Sequence, residues 1–419
     1  MRNPATGTFR SLRNFNYRVW AAGAFVSNIG TWMQRTAQTW LVLMQLTQHN
    51  ASAVGLVMAL QYGPQLLLLP LTGYVADHFN QRRLLIATQA TMGAFALLLG
   101  VLTVTGVVAL WQVDLLAFLF GCAAAFDAPV RQTFVAELVG DDDLPNAIAL
   151  NSTSFNGARM IGPAIAGLVI AAFGTGWAFL INGASFIAVL ASLGLLRTAD
   201  LRPNARAHRI KGAFLDSLTG GFRYVWSRPD LKAILIMLAL IGTFGLNFQI
   251  FISTMAIKVF HSDARGYGLL SSVMAVGTVA GALINASQRR PKFISLLAGG
   301  ALFGVGCSLA ALAPTIWLFG AALAVIGVAA LMFTNTTNSL MQLATEPAMR
   351  GRVMALRVGV ALGGTPIGAP IVGWVADNFG PRWALGLGAA AGFAAALVAL
   401  YVIVRRPVAP QQQGLPSKP

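Results

Sequence analysis

The stretch GTWMQRTAQTW, residues 30–40, lies between VWAAGAFV on one side and LVLM, then AVGLVMAL, on the other. A run that otherwise reads as membrane-spanning here carries Arg35, flanked by Gln34, Gln38 and three threonines. A charge at that depth persists where it faces a polar cavity or a partner, not lipid. At helical spacing Asn28, Thr31, Arg35 and Gln38 share one face, which is expected to look into such a cavity.

The rest of the chain supports the membrane reading. Of 419 residues, 56% are hydrophobic and only 10% charged, with mean hydropathy +0.69; a soluble domain carries roughly a quarter charged residues. Repeated apolar runs of about twenty residues indicate a polytopic helical protein in a lipid bilayer. The basic start MRNPATGTFRSLRNFNYR precedes an apolar run longer than a signal-peptide core, so that run is expected to remain as the first helix. The net charge of +16 does not indicate nucleic-acid binding, because the basic residues sit between apolar runs. Cys122 and Cys307 lie inside apolar runs, and His49, His78, His208 and His261 fall at loop positions, so neither a metal nor another cofactor is expected. No Walker loop and no nucleophile–base pair is visible, and no enzymatic activity is expected.

The apolar runs predict an all-α membrane protein of twelve transmembrane helices at 18–46, 53–76, 84–106, 109–138, 146–172 and 175–196, then 231–258, 266–287, 293–312, 315–342, 352–376 and 381–404. With the N-terminus in the cytoplasm, all but five of the 29 Lys and Arg residues fall in cytoplasmic loops, tails or adjoining helix ends. The exceptions are Lys258, Arg265 and Arg382 outside, and Arg35 and Arg159 within the membrane. Positive charge collects on the cytoplasmic side, which places both termini there, in an inner (plasma) membrane of bacterial type. The long connection 197–230 is basic first and then amphipathic, with Phe214, Leu218, Phe222 and Val225/Trp226 at helical spacing. It reads either as a linker ending in an interfacial helix or as a plain solvated linker. The expected organisation is an N-terminal bundle over 1–196, the linker over 197–230, and a C-terminal bundle with a cytoplasmic tail over 231–419.

Shifted by 206 residues, Trp111–Trp177 aligns without gaps on Trp317–Trp383. Gly121, Gly157, Gly162 and Gly167 fall on Gly327, Gly363, Gly368 and Gly373, and FGTGW falls on FGPRW. The first helices of the halves align more weakly at a shift of 212, through the IGT at 29–31 and at 241–243. Six helices, a basic linker and six helices again form two pseudo-symmetric six-helix bundles, with a substrate site expected between them. A second echo joins GYVADHFNQRR (73–83) to GWVADNFGPRW (373–383), as inverted three-helix units would.

This pattern resembles the major facilitator superfamily of secondary transporters. GYVADHFNQRR is similar to that family's motif Gly-x-x-x-Asp-Arg-x-Gly-Arg-Arg through Gly73, Asp77, Arg82 and Arg83, with the arginines one place late, His78 for an arginine and Asn80 for the second glycine. Asn80 is expected to supply the left-handed turn conformation in glycine's place. The resemblance implies a gate in which Asp77 sits at the N-terminal end of helix eleven, near Arg350 and Arg352. NGARMIGPAIAG (156–167) is similar to the exporters' antiporter motif, with Ala149, Ala158, Gly162, Pro163, Ala166 and Gly167 in its places and alanine for glycine at three. LDSLTGGFRYVWSRP and GRVMAL resemble the branch that contains enterobactin-type siderophore exporters and drug-efflux proteins.

Three charges lie deep in the first six helices: Arg35, Asp127 and Arg159, with Arg131 one turn beyond Asp127. Unpaired, each costs about 2.5–3.5 kcal/mol at a helix centre. Their repeat counterparts are neutral: Phe333, Thr337 and Thr365 for Asp127, Arg131 and Arg159, and Asn247 for Arg35. Charge chemistry is therefore expected in the first half, with Asn247, Gln249, Asn335 and Asn338 as the polar contribution of the second. Asp127 reads as a protonatable coupling carboxylate near Arg159 or Arg131, or as half of a structural pair; Arg35 reads as an anion contact or as a hydrogen-bond hub. The expected function is proton-driven export of small amphipathic, siderophore- or drug-like molecules by a monomer working through alternating access. Uptake of a metabolite, or a receptor built on the same fold, is the alternative.

Overall fold

Residues 7–202, 214–286 and 292–405 are described by the computed structural model, the side chains of 76, 77, 214–218 and 286 excepted. Among the described residues there is no strand. The helices are α1 (Phe15–Trp40), α2 (Ala51–Leu67), α3 (Leu69–His78), α4 (Gln81–Val104), α5 (Leu110–Leu138), α6 (Leu144–Phe173), α7 (Thr175–Gly194) and α8 (Phe214–Ser227). They continue with α9 (Pro229–Leu240), α10 (Phe248–Thr254), α11 (Ala264–Ala286), α12 (Phe293–Leu312), α13 (Ile316–Ala344), α14 (Arg350–Asn378) and α15 (Pro381–Arg405). The apolar stretches predicted to span are helical, with a break at Leu246 and Asn247 in 231–258, but ten spans meet the length and apolarity of a membrane crossing, or eleven with a bent pair counted as one. The first helix falls short because Asn28, Gln34, Arg35 and Gln38 dilute it. The predicted second span is the bent pair: α2 and α3 meet at 55°. Pro70, in the first turn of α3, lacks the N–H that would continue the ladder, and its ring crowds the preceding turn.

Local chemistry sets the boundaries. Asn14, Asn50 and Asn80 each accept a hydrogen bond from the backbone N–H three residues on, capping α1, α2 and α4. Asn80 has φ −63° and is a helix cap, not the left-handed turn residue expected from its place in the motif. Among the positions with φ above zero, Gly174 and Gly380 stand at 90° and 100°. These glycines occupy the same place in FGTGW and FGPRW, so one turn chemistry serves both copies. Wide π-helical turns at Leu41–Leu46, Ile241–Gly245 and Met255–Val259 interrupt the first span and the long unit Pro229–Val259. Extra residues per turn rotate the side chains that follow, a device common near functional sites.

Packing brings α1 against α6 and α7, α4 against α5 and α7, and α2 against α5. Farther along the chain α11 packs on α13, and α12 packs on α13 and α15. The two groups meet chiefly along α2 with α14 and α6 with α11. Both seams rest on missing side chains. A Cβ at Gly373 would stand 2.5 Å from the Ala51 carbonyl oxygen, and one at Gly167 2.6 Å from that of Ala264. Gly55 and Gly268 face Ala369 and Pro163 in the same way. Backbone-to-backbone contact of this kind is how helices associate where lipid supplies no hydrophobic drive. These glycines sit toward one end of the molecule, here called distal, which also carries Gln45 bonded to Thr175 at 3.0 Å and Asp377 bonded to Ala51 at 2.8 Å.

Helix α8 spans the amphipathic part of the connection 197–230, while 203–213 lie outside the described residues. Phe222 and Trp226 are exposed and stacked at 4.9 Å, whereas Val225 is fully buried, so Val225 belongs to the inward face and not to the aromatic one. The exposed pair borders an open surface groove of about 750 Å³ with Arg223 and Leu356.

The glycine seam is testable. Gly55→Ala is expected to lower the apparent melting temperature in detergent by roughly 2–6 °C, because the added methyl group must push the facing backbones away from each other. Gly63→Ala, on the same helix with nothing within 4 Å, is expected to leave it unchanged or raised. Equal effects at both positions would show that α2 and α14 do not depend on close approach.

Candidate functional site

A cavity of about 140 Å³ lies between the two groups of helices. Trp32, Arg35 and Thr36 of α1, Met58 and Tyr62 of α2, and Arg159 and Pro163 of α6 form one wall. Leu246, Phe248, Gln249 and Ile252, with Tyr267, Ser271, Met274 and Ala275 of α11 and Thr365 of α14, form the other. Arg159 and Thr365 sit near the midpoints of their helices, so the cavity is central along the bundle. Toward the distal end it is covered by Trp40, stacked on the buried Tyr267 at a ring separation of 6.1 Å.

Two guanidinium groups point at this space. Arg35 lies 4.6 Å from the centre of the Trp32 ring and 5.5 Å from that of Tyr62, and Arg159 lies 5.3 Å from the Trp32 ring. Neither enters any of the described ion pairs, and the cavity lining contains no acidic side chain among the described residues. Arg35 Nε has no hydrogen-bond partner, and neither has Gln38 Nε2, on a side chain only 4% exposed. Arg35, Gln38, Gln61 and Gln249 meet in a small adjoining pocket. A cation–ring contact contributes about 0.5–2 kcal/mol. Two buried guanidiniums cost about 5–7 kcal/mol on the insertion scale, so the rings alone do not balance them. The arrangement is suited to taking up negative charge, with flat aromatic faces beside it.

Asp127 is elsewhere. It is fully buried; its Oδ1 accepts from Thr88 Oγ1 at 3.0 Å and Gln89 Nε2 at 2.6 Å, both on α4. Arg131 Nη2 lies 2.9 Å from Oδ2 one turn along α5, off the line of a hydrogen bond, so that contact is electrostatic. Arg131 Nη1 in turn donates to Asn28 Oδ1 on α1 at 2.9 Å. Of the two partners considered for Asp127, the structure brings together Arg131 and not Arg159. The cluster ties α1, α4 and α5 and leaves one charge of each sign. Thr88 and Gln89 escaped the sequence reading because a threonine and a glutamine in an apolar run carry no periodic signal.

The other expected site residues divide. Arg35 and Gln249 line the cavity and Gln38 its side pocket. Asn28 does not line it, because Arg131 holds it toward α5. Thr31 donates to the Ser27 carbonyl at 2.9 Å, and Asn247, fully buried, donates to the Thr243 carbonyl at 2.6 Å. Asn335 and Asn338, half-buried on α13, are absent from the lining; Thr365, Ser271 and Tyr267 supply that wall's polar groups instead. Trp32 and Tyr62 are the aromatic floor of the cavity. A further deep arginine, Arg357, was counted with the helix end but is half-buried in α14 and donates to the Thr334 carbonyl at 3.1 Å.

The motif residues are mostly structural. In the antiporter-like segment Ala158, Gly162, Pro163, Ala166 and Gly167 are buried, and a Cβ at Gly162 would meet the Trp32 side chain at 2.6 Å; Ala149 is exposed. Helix α6 continues through Pro163. In the other motif Gly73 has open space around it, Arg82 Nε donates to the Leu193 carbonyl at 2.8 Å, and the Arg83 N–H is held by Asn80. Arg350 donates to the Gln342 carbonyl at 3.1 Å, and Arg352 packs beside Gly220 and Gly221 of α8. The Asp77 side chain lies outside the described residues.

Comparison with known proteins places this geometry. The family described as transmembrane secretion effector matches residues 6–417. The staphyloferrin A transporter of Staphylococcus aureus is 25% identical over 366 residues, covering 86% of this chain and 89% of that protein. The enterobactin exporter EntS of Citrobacter koseri is 25% identical over 368 residues, covering 87% and 85%. Among solved structures, the nucleoside transporter NupG superposes with a TM-score of 0.72 at 14% identity, covering 93% of this chain and 100% of that one. A bacterial homologue of the iron transporter ferroportin superposes at 0.71 and 15% identity, covering 92% and 98%. A match from one end of the described helices to the other, with a central cavity between two helix groups, makes the chain a multi-pass membrane transporter that belongs to the transmembrane secretion effector family within the major facilitator superfamily.

Proposed function

We propose that this protein is a proton-coupled exporter of small amphipathic anions across a bacterial-type inner membrane. The chain crosses the membrane twelve times in two six-helix bundles, 1–196 and 231–419, with the first helix and the α2–α3 pair completing the count. Both termini lie in the cytoplasm, and the distal end faces outward. The observation that carries the reading is the central cavity: both halves contribute to it, two guanidiniums enter it, and no described carboxylate neutralises them. The glycine seams close it on the distal side, while Gly63, Gly73, Gly351 and Gly359, on helices of both halves nearer the other end, have open space around them. The state is therefore read as open to the cytoplasm and closed to the outside, one half of an alternating-access cycle worked by a monomer.

The substrates named for the relatives, staphyloferrin A and enterobactin, are the models for the class. The substrate's negative groups meet Arg35 and Arg159, and its planar or apolar portions meet Trp32, Tyr62 and Phe248. Asp127 acts on this site at one remove. Protonation frees Arg131 from its counter-charge, and Arg131 is joined through Asn28 to α1, the helix that carries Trp32 and Arg35 one and two turns further on. The gating role of Asp77 with Arg82, Arg83, Arg350 and Arg352 belongs to the same proposal and rests on the family resemblance.

In energised inverted vesicles, a panel of anionic siderophores, neutral drugs and cationic dyes is expected to elicit proton release with the anions. Arg35→Gln and Arg159→Gln are each expected to lower kcat/KM for anions about 10–100-fold, the loss of one charge-assisted hydrogen bond, and to leave cationic compounds unchanged. Equal losses for both classes would remove charge recognition from the site. Asp127→Asn is expected to keep substrate binding and lose proton release. Full proton-linked transport by that variant would leave Asp127 as a structural pin, and no release with any compound would bring metabolite uptake forward.

A further inference from the structure

At the distal end one carboxylate joins the two halves. Asp377, in the last turn of α14, accepts four hydrogen bonds. Its Oδ1 takes the Ala51 N–H at 2.8 Å and Lys258 Nζ at 2.9 Å; its Oδ2 takes the Ser52 N–H and the Ser52 hydroxyl, both at 2.7 Å. Three of the donors belong to the first turn of α2, more than 300 residues away in the chain. The amides of that turn have no partner within their own helix and carry the positive end of its dipole. Lys258, in the π-turn Met255–Val259, adds a full positive charge from the other side. Directly below, Gly373 faces Ala51 and Gly55 faces Ala369, so the bonded ends stand on backbone in contact.

We infer that Asp377 is a gate residue of the transport cycle, a latch that holds the distal mouth shut and must release α2 before that mouth opens. Three features separate a latch from ordinary capping. The α2 cap position is already filled by Asn50, whose side chain accepts from Ala53 N–H, so Asp377 is additional to the cap that the helix needs. Three of the four bonds, those from Ala51 and Ser52, run between the two halves, and Lys258 supports them from the carboxylate's own half. The lysine and carboxylate remain about a quarter exposed, at 24% and 22%, so water is at hand to take over the bonds when the ends separate. Charge-assisted bonds that form in one state and are exchanged for water in the other bias the equilibrium by their difference. The inference rests on the alternating-access reading but not on substrate, direction or coupling ion.

The test is the distance between spin labels at Val107→Cys and Pro314→Cys, exposed distal positions in opposite halves, in full-length protein lacking Cys122 and Cys307 and reconstituted in lipid. The unaltered latch is expected to give mainly the shorter distance. Asp377→Asn is expected to shift the ratio of short to long by about tenfold or more toward long. Lys258→Met and the milder Ser52→Ala are expected to shift it in the same direction by less, and Asp377→Glu to restore some of it. Apparent substrate affinity measured from the cytoplasmic side falls by the same factor as the inward-open fraction. A lower melting temperature with an unchanged distance distribution in Asp377→Asn and Ser52→Ala would overturn the latch and leave Asp377 as a fastener. Loss of the latch effect with intact export would leave the functional reading standing, whereas a two-distance equilibrium with no export of any compound would do the reverse.

Discussion

A guanidinium inside a membrane has to be matched by something, and the deep arginines of the first six helices are matched in two different ways. Arg131 is closed off by Asp127 and Asn28, and Thr88 and Gln89 hold the other oxygen of that carboxylate. Arg35 and Arg159 have ring faces for company and no acid. A closed network rigidifies the helices that contribute to it. An open one that lines a cavity leaves its charge to be matched by water or, on the proposed reading, by a ligand. The contrast lies within one half of the molecule and among helices that touch, so it is not a general tolerance of the fold for charge.

The same constraint shapes the contact between the halves. Lipid gives helices no hydrophobic reason to associate, and on the proposed alternating-access reading a seam that opens gains little from interlocked side chains. The α2–α14 and α6–α11 seams instead use glycine, with backbones in van der Waals contact and little to disentangle. Specific polar bonds are placed at the mouth, where water can replace them, and not along the seam. Smooth seams with hydrated fasteners are what two rigid groups of helices require to rock about a fixed cavity.

The helices were legible because apolar runs of about twenty residues have one interpretation, and the paired FGTGW and FGPRW turns because only glycine adopts their positive φ cheaply. That Arg35 faces a cavity could be read from burial cost alone. The bend at Leu68 was missed although Pro70 announces it, because hydropathy averages over a break. Asn28 was misplaced for a geometric reason: it shares a helical face with Arg35, yet at nearly two turns' distance a neighbouring arginine draws it sideways. Partners of Asp127 on α4 and of Asp377 on α2 were invisible, since hydrogen bonds between distant helices leave no trace in spacing. Asp377 also looked like an ordinary helix end, and its weight comes from where the fold puts α2.

The absence of a described carboxylate from the cavity lining constrains how a proton can be linked to transport. Direct competition between proton and substrate for one acid is the simplest antiport scheme, and it needs that acid within reach of both. Here the fully buried carboxylate of α5 and the free arginines occupy separate clusters, with α1 the element common to them through Asn28 at one level and Trp32 and Arg35 at the next. On the proposed coupling, adding a proton to Asp127 would leave the Arg131 charge without its counter-charge, which favours any displacement of α1 or α5 that hydrates it further. Such a displacement moves Arg35 and the Trp32 ring on which both guanidiniums rest. Coupling of this kind acts on the affinity of the cavity through the position of a helix, so the proton and the substrate need never meet.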